Sequence, residues 1–454
     1  MHGEDNAVPR RGAALTRRRL LAGSAAAGAG GVVGHRMRHA AASPTAAVPS
    51  ASRAQDGGLL VVAFTSNDAQ KVKPLLDEYS AANNVEIEIR QAPYDPMYAE
   101  LALNLTGDTG FYDVVSMDDP WIPQFAGGEF IRNLSELLGR RSETFGDFIP
   151  ELLALGDFPP GSGLRGIPWV GNVQVFAWRT DVLETMGLPV PKTWDEVLTS
   201  AQAITAGRGD SGPYGIGLRG VPGNAATTSF LPILRGHGVD IFAADSWEPQ
   251  LTTPQASQAM TTHLALAKLA PPGVDRVDHD ANGRNMASGM TAMSADIWPD
   301  LLLKLFDPNQ SQVAGKIAVG PQPAQPGVEP ATMTGNWLLG IPTASAHPDA
   351  AIDFILWFTA PEQQKRLLLQ HNIPATRFSV LQDPEAVARL PFLEGLLAAG
   401  RNARPRPRTP LYPQVEVILG LYLAEAIAGR ITGEEALAKA NGDIRALMVR
   451  NGEL

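Results

Sequence analysis

The chain has 454 residues and not one cysteine. This absence excludes structural disulfides, zinc sites built from cysteine, a cysteine nucleophile and a lipid-modified cysteine in this sequence. Charged residues make up only 19% and hydrophobic residues 44%, which is typical of a soluble globular protein rather than a disordered or fibrous one. A chain of this length predicts two or three domains.

Positive charge is scarce outside the N-terminal region. Residues 1–42 hold seven arginines and two acidic residues, so they carry a net charge of +5. Because the whole chain carries −10, the remaining 412 residues carry −15. A body this acidic lacks the basic patch that phosphate binding requires, and we therefore predict no nucleic-acid partner.

Signatures of common hydrolases are also missing. The sequence has no Gly-x-Ser-x-Gly element and no His-Glu-x-x-His element. His237, His263, His279 and His347 are scattered, and we interpret them as non-catalytic. We therefore predict a protein that is not an enzyme and that uses neither a cofactor nor a metal.

The N-terminal region is distinctive in a different way. Residues 16–21 (TRRRLL) precede a mildly apolar run rich in Gly and Ala, a pattern that resembles a twin-arginine export signal over residues 1–42. A disordered basic tail is the alternative. Residues 43–58 are rich in Ala, Pro and Ser and predict a flexible linker. No other segment is apolar for long enough to predict a membrane span.

From residue 59 onwards, short apolar strands alternate with helical patterns. The predicted strands cover residues 59–64, 85–89 and 112–117. This order predicts an α/β fold with a parallel sheet, in which ligands gather beyond the carboxyl ends of the strands. Residues 65–68 (TSND) and 118–121 (DDPW) are therefore expected at that rim.

A series of short motifs follows along the chain: 166–168 (GIP), 191–196 (PKTWDE), 287–293 (ASGMTAM), 318–323 (AVGPQP), 335–342 (GNWLLGIP), 372–377 (NIPATR) and 434–437 (EEAL). In this order the motifs resemble family 1 extracellular solute-binding proteins, which capture the substrate for carbohydrate ABC importers. Within PKTWDE, Thr193 and Glu196 also have the spacing of a helix capping box. The resemblance spans residues 59 to about 450, although Asn336 departs from the family's second glycine.

The resemblance implies a two-lobed periplasmic-binding-protein-like fold with discontinuous lobes. Lobe one is expected at residues 59–171 plus 341–375, and lobe two at 172–340 plus 376–454, with hinge crossings near 170, 340 and 375. It implies an exported, monomeric protein that closes around a sugar, a di- or oligosaccharide, and docks on the permease subunits of an ABC transporter. Closure follows when the ligand binds one state of the lobes more tightly.

A sugar presents hydroxyls and apolar faces, so its site needs both aromatic rings and fixed polar groups. Four tryptophans stand at rim-like turns, each with a polar neighbour: Trp121 with Asp119, Trp169 with Asn172, Trp298 with Asp296, and Trp337 with Asn336. Trp169 is equally well explained as core. The residues and the resemblance together predict a ligand site made of Asn67, Asp68, Asp118, Asp119, Trp121, Trp169, Asn172, Tyr214, Trp298, Gly335, Asn336, Trp337 and Arg377.

Two other functions use the same residues. A secreted glycoside hydrolase would employ two of the carboxyl groups, with Asp118 and Asp119 on one side and Asp296 and Asp300 on the other. A binding protein for a glycerophosphate or polyol would need more than one cationic group, and Arg377 is the candidate that the sequence offers.

Overall fold

The computed structural model describes residues 58–139 and 145–454. The predicted export signal lies outside the described residues, as does the predicted linker except for Gly58. The strands are β1 (Leu59–Thr65), β2 (Glu86–Ala92), β3 (Val114–Asp118), β4 (Ile167–Val170), β5 (Val175–Arg179), β6 (Met293–Ile297), β7 (Ile317–Gly320) and β8 (Trp337–Gly340).

The helices cover about half of the described chain. They are α1 (Ser66–Asn83), α2 (Tyr94–Thr106), α3 (Ile122–Gly127), α4 (Ser135–Leu138), α5 (Pro150–Ala154), α6 (Thr180–Thr185), α7 (Trp194–Gly207), α8 (Asn224–Gly236), α9 (Pro254–Ala267), α10 (His279–Ala287), α11 (Pro299–Phe306), α12 (Pro348–Phe358), α13 (Pro361–His371), α14 (Phe378–Leu381), α15 (Pro384–Arg389), α16 (Leu393–Gly400), α17 (Tyr412–Ile427) and α18 (Gly433–Asn451). None of the described helices is long and apolar enough to cross a membrane.

The strands form two separate sheets, which confirms the two-lobed α/β fold. The first sheet has the order β2-β1-β3-β8-β4, and the second has the order β6-β5-β7. In the first sheet β1 pairs in parallel with β2 and β3, whereas β8 runs antiparallel to β3 and β4. The first sheet belongs to one apolar core, and the strands of the second sheet contribute to two others.

The chain passes between the sheets on segments that lie side by side. Gly171, directly after β4, donates its backbone N–H to the carbonyl of Pro374 over 2.9 Å. A Cβ at Gly171 would stand 2.8 Å from the carbonyl oxygen of Ala375, so a residue without a side chain is needed at this crossing. The predicted crossings near 170 and 375 therefore meet at one place.

The predicted division at residue 340 needs correction. The strand Trp337–Gly340 pairs with β3 and β4 in the first sheet, so the chain returns to the first lobe between 321 and 336. The apolar pattern of this strand is the same in either sheet, so its sequence alone did not reveal which lobe it joins.

Local signals in the sequence agree with the helix starts. The predicted capping box of Thr193 and Glu196 opens α7, and Thr432 with Glu435 forms a second one at α18. At the carboxyl end of β1, the Thr65 hydroxyl accepts the backbone N–H of Asp68 and caps α1. This cap fixes where the first helix begins and holds the turn after β1 at the rim of the sheet.

Candidate functional site

Asp118 and Asp119, called the acid pair below, lie where β3 ends. The short turn Asp119–Trp121 folds both carboxyl groups inward, and their residues are 3% and 0% exposed. The Tyr94 hydroxyl donates to Asp118 Oδ2 over 2.7 Å, and the backbone N–H of Asn336 donates to Asp119 Oδ2 over 2.9 Å. Tyr94 on α2 and Asn336, directly before β8, thus hold the acid pair in place.

A cation from the C-terminal part of the chain completes this cluster. Arg406 Nη2 lies 2.5 Å from Asp118 Oδ1 and 3.5 Å from Asp119 Oδ1. Its Nη1 lies 3.9 Å from Glu416 Oε1, which also accepts a hydrogen bond of 3.0 Å from Asn224 Nδ2. Three carboxyl groups therefore surround one guanidinium between the two lobes. We call these four side chains, Asp118, Asp119, Arg406 and Glu416, the ionic cluster.

Burial dominates the electrostatics of the ionic cluster. It raises the pKa of Asp119 to about 6 and the pKa of Glu416 to about 7, although Arg406 opposes both shifts. Burial alone would lower the pKa of Arg406, but the Asp118 and Asp119 carboxylates outweigh it and hold that pKa well above its ordinary value. One cation among three acids leaves carboxyl oxygens able to accept hydroxyl groups of a ligand.

Aromatic rings stand beside the acid pair. Trp337 lies directly opposite Asp118 in the register of β3 and β8. Its ring centroid is 5.4 Å from that of Trp121 and 6.0 Å from that of Tyr94. Trp121 also packs on Tyr98, with ring centroids 5.4 Å apart. Trp337 keeps 9% of its surface exposed, more than the 2% of Trp121, so it is the ring of this group that a ligand can reach.

Trp298 is held from the second lobe by a buried network. Its Nε1–H donates to Asp296 Oδ1 over 2.9 Å. Asp296 in turn forms an ion pair with Arg219, whose Nη2 lies 2.8 Å from Oδ1, and it accepts a 2.7 Å hydrogen bond from Gln174 Nε2. The network fixes the edge of the indole and leaves its six-membered ring as the contact surface.

Gly335 brings the two tryptophans together, although they belong to the cores of different lobes. A Cβ at Gly335 would lie 2.8 Å from Trp298 Cζ3 and 3.7 Å from Arg406 Nη2. Gly335 is two residues before Trp337, and its N–H donates to the carbonyl of Asn172. The predicted residues Asp118, Asp119, Trp121, Asn172, Trp298, Gly335, Asn336 and Trp337 therefore surround one place at the joint of the lobes.

Several polar atoms at this joint are buried without a hydrogen-bond partner among the described residues. They are Asn172 Oδ1, Thr334 Oγ1, both side-chain polar atoms of Asn336, and Arg406 Nε. An unsatisfied buried polar group costs about 1–3 kcal/mol. Such a concentration of unpaired groups indicates a place where a polar ligand or water supplies the missing bonds.

Asn67 and Asp68 lie in the turn that follows β1, apart from the ionic cluster. Asn67 lines a cavity of about 250 Å³ whose other walls come from α10 and α11 of the second lobe. Asp68 faces the same side, because Asp300 and His279 at the start of these helices influence its pKa. Burial is the main cause that raises the pKa of Asp68. Both residues are thus at the interface of the lobes, beside the carboxyl end of β1.

Trp169 packs in the core of the first lobe. It is 1% exposed, its ring lies edge-on to Phe64 at 5.4 Å, and its Nε1–H donates to Ser116 Oγ over 3.0 Å. Of the two interpretations that the sequence left open, a core position therefore describes the surroundings of Trp169. Its position in β4 explains this, because the strand directs the ring under the sheet rather than towards the joint.

Tyr214 and Arg377 also lie apart from the joint. The backbone N–H of Tyr214 donates to the carbonyl of Met290, which precedes β6, whereas Trp298 follows the other end of that strand. The Arg377 guanidinium covers the ring of Phe148 at 3.9 Å, and its Nε donates to the Thr359 carbonyl. Both side chains have packing partners in the protein, and their predicted ligand contacts gain no support from this placement.

Sequence reasoning missed Arg406, Glu416, Tyr94 and Arg219. The first two belong to a C-terminal segment that reaches the joint only through the fold. An alternation of arginine and proline at residues 404–408 was the available signal, because buried arginines need fixed partners and proline limits the backbone.

Comparisons with known proteins bear on the fold. The model of the family of bacterial extracellular solute-binding proteins matches residues 63–365. A probable amino-acid ABC transporter periplasmic-binding protein of Sinorhizobium fredii is 27% identical over 391 residues, covering 83% of this chain and 86% of that protein. A mannitol-binding protein of Pseudomonas aeruginosa is 24% identical over 67% of this chain and 76% of that protein.

Among solved structures, an ABC transporter solute-binding protein of Agrobacterium radiobacter, in complex with ribitol, superposes with a TM-score of 0.80. It is 24% identical, and the match covers 87% of this chain and all of that one. Maltose-bound MalE3 of Thermotoga maritima gives a TM-score of 0.78 at 24% identity, over 86% of this chain and 99% of that one. These likenesses establish the fold.

Proposed function

The chain belongs to the family of bacterial extracellular solute-binding proteins, and we propose that it binds a sugar or polyol at the joint of its lobes. The observation that carries this proposal is the convergence of Trp298, Trp337 and the ionic cluster around Gly335. Indole faces match the apolar C–H faces of a sugar, and buried carboxylates and Arg406 match its hydroxyls.

The finer form of the proposal is a di- or oligosaccharide that is passed to the permease of an ABC importer. A second cavity, of about 250 Å³, lies beside Asn67 between residues of the two lobes, and it supports a ligand longer than one ring. Neighbouring strands of a sheet lie about 4.8 Å apart, so the turns after β1 and β3 fit successive parts of one ligand. Export through the twin-arginine pathway and a monomeric state are part of the same proposal.

The hydrolase alternative finds less support at the carboxyl groups it would need. Asp296 is paired with Arg219, and Asp300 is 2.9 Å from His279 Nε2. Burial alone would raise the pKa of Asp300, but His279 outweighs it and holds that pKa at about 2. A glycosidase acid must instead stay protonated near neutral pH and face a second free carboxylate.

Thermal unfolding with a ligand panel tests the proposal directly. A ligand present at 100 times its Kd adds about 2.7 kcal/mol to the stability of the folded state, which raises the Tm by several degrees. We expect this rise with a member of a panel of maltose, longer glucans, mannitol and ribitol, and not with amino acids. A rise with amino acids alone would overturn the proposal.

Two tryptophan variants distinguish a loss of ligand binding from a loss of stability. Trp337→Leu removes a ring at the joint, and Trp169→Leu removes one in the first-lobe core. We expect Trp337→Leu to abolish most of the sugar-dependent rise in Tm. Trp169→Leu is expected to lower the Tm of the free protein by several degrees while the rise on adding sugar remains.

A further inference from the structure

A buried carboxylate holds the indole of Trp298 at the joint. Asp296 is 1% exposed, and its Oδ1 accepts the Trp298 Nε1–H over 2.9 Å. The same oxygen accepts hydrogen bonds from Gln174 Nε2 over 2.7 Å and from Arg219 Nη2 over 2.8 Å. Because these partners occupy the Asp296 carboxylate, its effect on a ligand at the joint passes through the indole.

Arg219 supplies the positive charge that pairs with this carboxylate in the core. Its guanidinium binds both carboxylate oxygens of Asp296, with Nε on Oδ2 and Nη2 on Oδ1. Within residues 58–139 and 145–454, no other basic side chain lies within ion-pair distance of Asp296. A buried carboxylate that loses its cation is strongly destabilised, and it then takes up a proton or moves. The acceptor of the Trp298 N–H therefore depends on Arg219.

Arg219 belongs to the interior of the second lobe. Its residue is 4% exposed, its Nη2 donates to the Thr228 hydroxyl, and its backbone N–H donates to Ser229 Oγ over 3.2 Å. Both hydroxyls lie on α8. Among the residues that the structure describes, the hydrogen bonds of Arg219 thus go to α8 and to Asp296, and it reaches the joint only through that carboxylate.

The opposite edge of the indole has no such anchor. A Cβ at Gly335 would stand 2.8 Å from Trp298 Cζ3 and 2.9 Å from Cη2, so this edge lies against backbone without a side chain. An indole has a single hydrogen-bonding group, its Nε1–H. The bond to Asp296 is therefore the directional contact that fixes the plane of the ring, of which 7% of the residue surface stays exposed.

We propose that Arg219 is a positioning residue of the ligand site: through Asp296 it holds Trp298 in the orientation that meets the ligand, and it thereby sets the affinity without touching the ligand. For the effect on affinity this inference rests on the proposed function. The anchoring of the indole can be measured in the free protein.

The indole N–H signals in the NMR spectrum of protein with isotope-labelled tryptophan measure the anchoring without a ligand. The signal of Trp298 is the one that is missing from Trp298→Phe. We expect Arg219→Met to shift this signal and to speed the exchange of its proton with water, because the hydrogen bond to a fixed carboxylate is weakened. Arg219→Lys keeps the charge but not the two-pronged geometry, so it should cause a smaller change, and it serves as the test where Arg219→Met does not fold.

A second buried pair in the same lobe offers a matched control. Arg179 binds both carboxylate oxygens of Asp181, over 2.7 and 2.6 Å, as Arg219 binds those of Asp296. Arg179→Met should therefore leave the Trp298 signal in place. An unchanged Trp298 signal in the Arg219 variants would overturn the inference.

A double-mutant cycle tests the effect on affinity by calorimetry with maltose, maltotriose, mannitol and ribitol. We expect Arg219→Met and Trp298→Phe each to weaken binding about tenfold, and the two together to weaken it no more than Trp298→Phe alone. The reason is that phenylalanine keeps a ring but has no N–H for the network to hold. A purely structural role of Arg219 would instead lower the Tm with unchanged affinity, or would weaken binding by the same factor in both backgrounds.

The outcomes separate this inference from the proposed function. Either result expected from a purely structural role would overturn the inference and leave sugar binding standing. Failure of all four ligands to bind the unaltered protein would overturn the proposed function together with the effect on affinity, and the Trp298 signal would still decide the anchoring.

Discussion

Glu416 provides a pH-dependent test of the ionic cluster. The residue is 6% exposed, and burial raises the pKa of its carboxyl group to about 7, against an ordinary value of 4.5. Between these two values the folded protein holds a proton that the unfolded chain releases. Its contribution to stability is therefore complete below pH 4.5 and is lost as the pH rises through 7.

The size of the effect follows from the shift. One pKa unit corresponds to 1.36 kcal/mol, so a shift from 4.5 to about 7 makes the free energy of unfolding fall by about 3 kcal/mol across that range. In Glu416→Gln the group does not titrate. Its amide oxygen still accepts the hydrogen bond of Asn224 Nδ2, and Arg406 keeps Asp118 as its main partner.

Urea unfolding of the wild type and Glu416→Gln at pH 4.5 and pH 8 measures this difference. We expect the variant to gain about 3 kcal/mol relative to the wild type between the two pH values. Glu434→Gln, an exposed acid at the start of α18, is the control and should give a constant difference. A constant difference for Glu416→Gln as well would refute the burial of its carboxyl group between the lobes.

Two further substitutions test other parts of the molecule. Gly335→Ala places a Cβ 2.8 Å from Trp298 Cζ3 and should lower sugar affinity about tenfold in calorimetry as the indole moves, whereas Gly442→Ala, where a Cβ has open space, should not. Burial lowers the pKa of His263 from 6.5 to about 4, so the wild type loses about 2 kcal/mol between pH 7 and pH 5. His263→Phe should remove that loss in unfolding experiments, and an unchanged pH profile would contradict the burial.

The fold was predictable because its signals are local or follow the order of the chain. The apolar run Leu59–Thr65 and the capping box at Thr193 depend on neighbouring residues, and the structure contains both. Residues 337–340 were expected in lobe two, whereas they form a strand of the first sheet. Four buried residues pack equally well in either sheet, and only the pairing with β3 and β4 decides between them.

The positions of some candidate residues were predictable because these residues follow strands. Asp119 and Trp298 come directly after β3 and β6. Trp169 also lies next to a strand end, but its ring turns into the core, since the face on which a side chain lies depends on the twist and register of the sheet. A motif match carries no information about that direction, and Arg377, which the motif match also proposed, packs on Phe148.

Arg406 illustrates the part of the candidate site that could not be predicted from the sequence. It is 288 residues away from Asp118 in sequence, and it contacts the acid pair because the C-terminal segment returns to the joint after α16. Asp118 and Asp119 alone would be two buried like charges and therefore costly; with Arg406 they become a stable polar surface. The cation that makes the acid pair tolerable thus comes from the other lobe, so the charge balance of the site depends on how the lobes meet. If a ligand closes the lobes, as we propose, the contact between Arg406 and Asp118 must change with the angle between them.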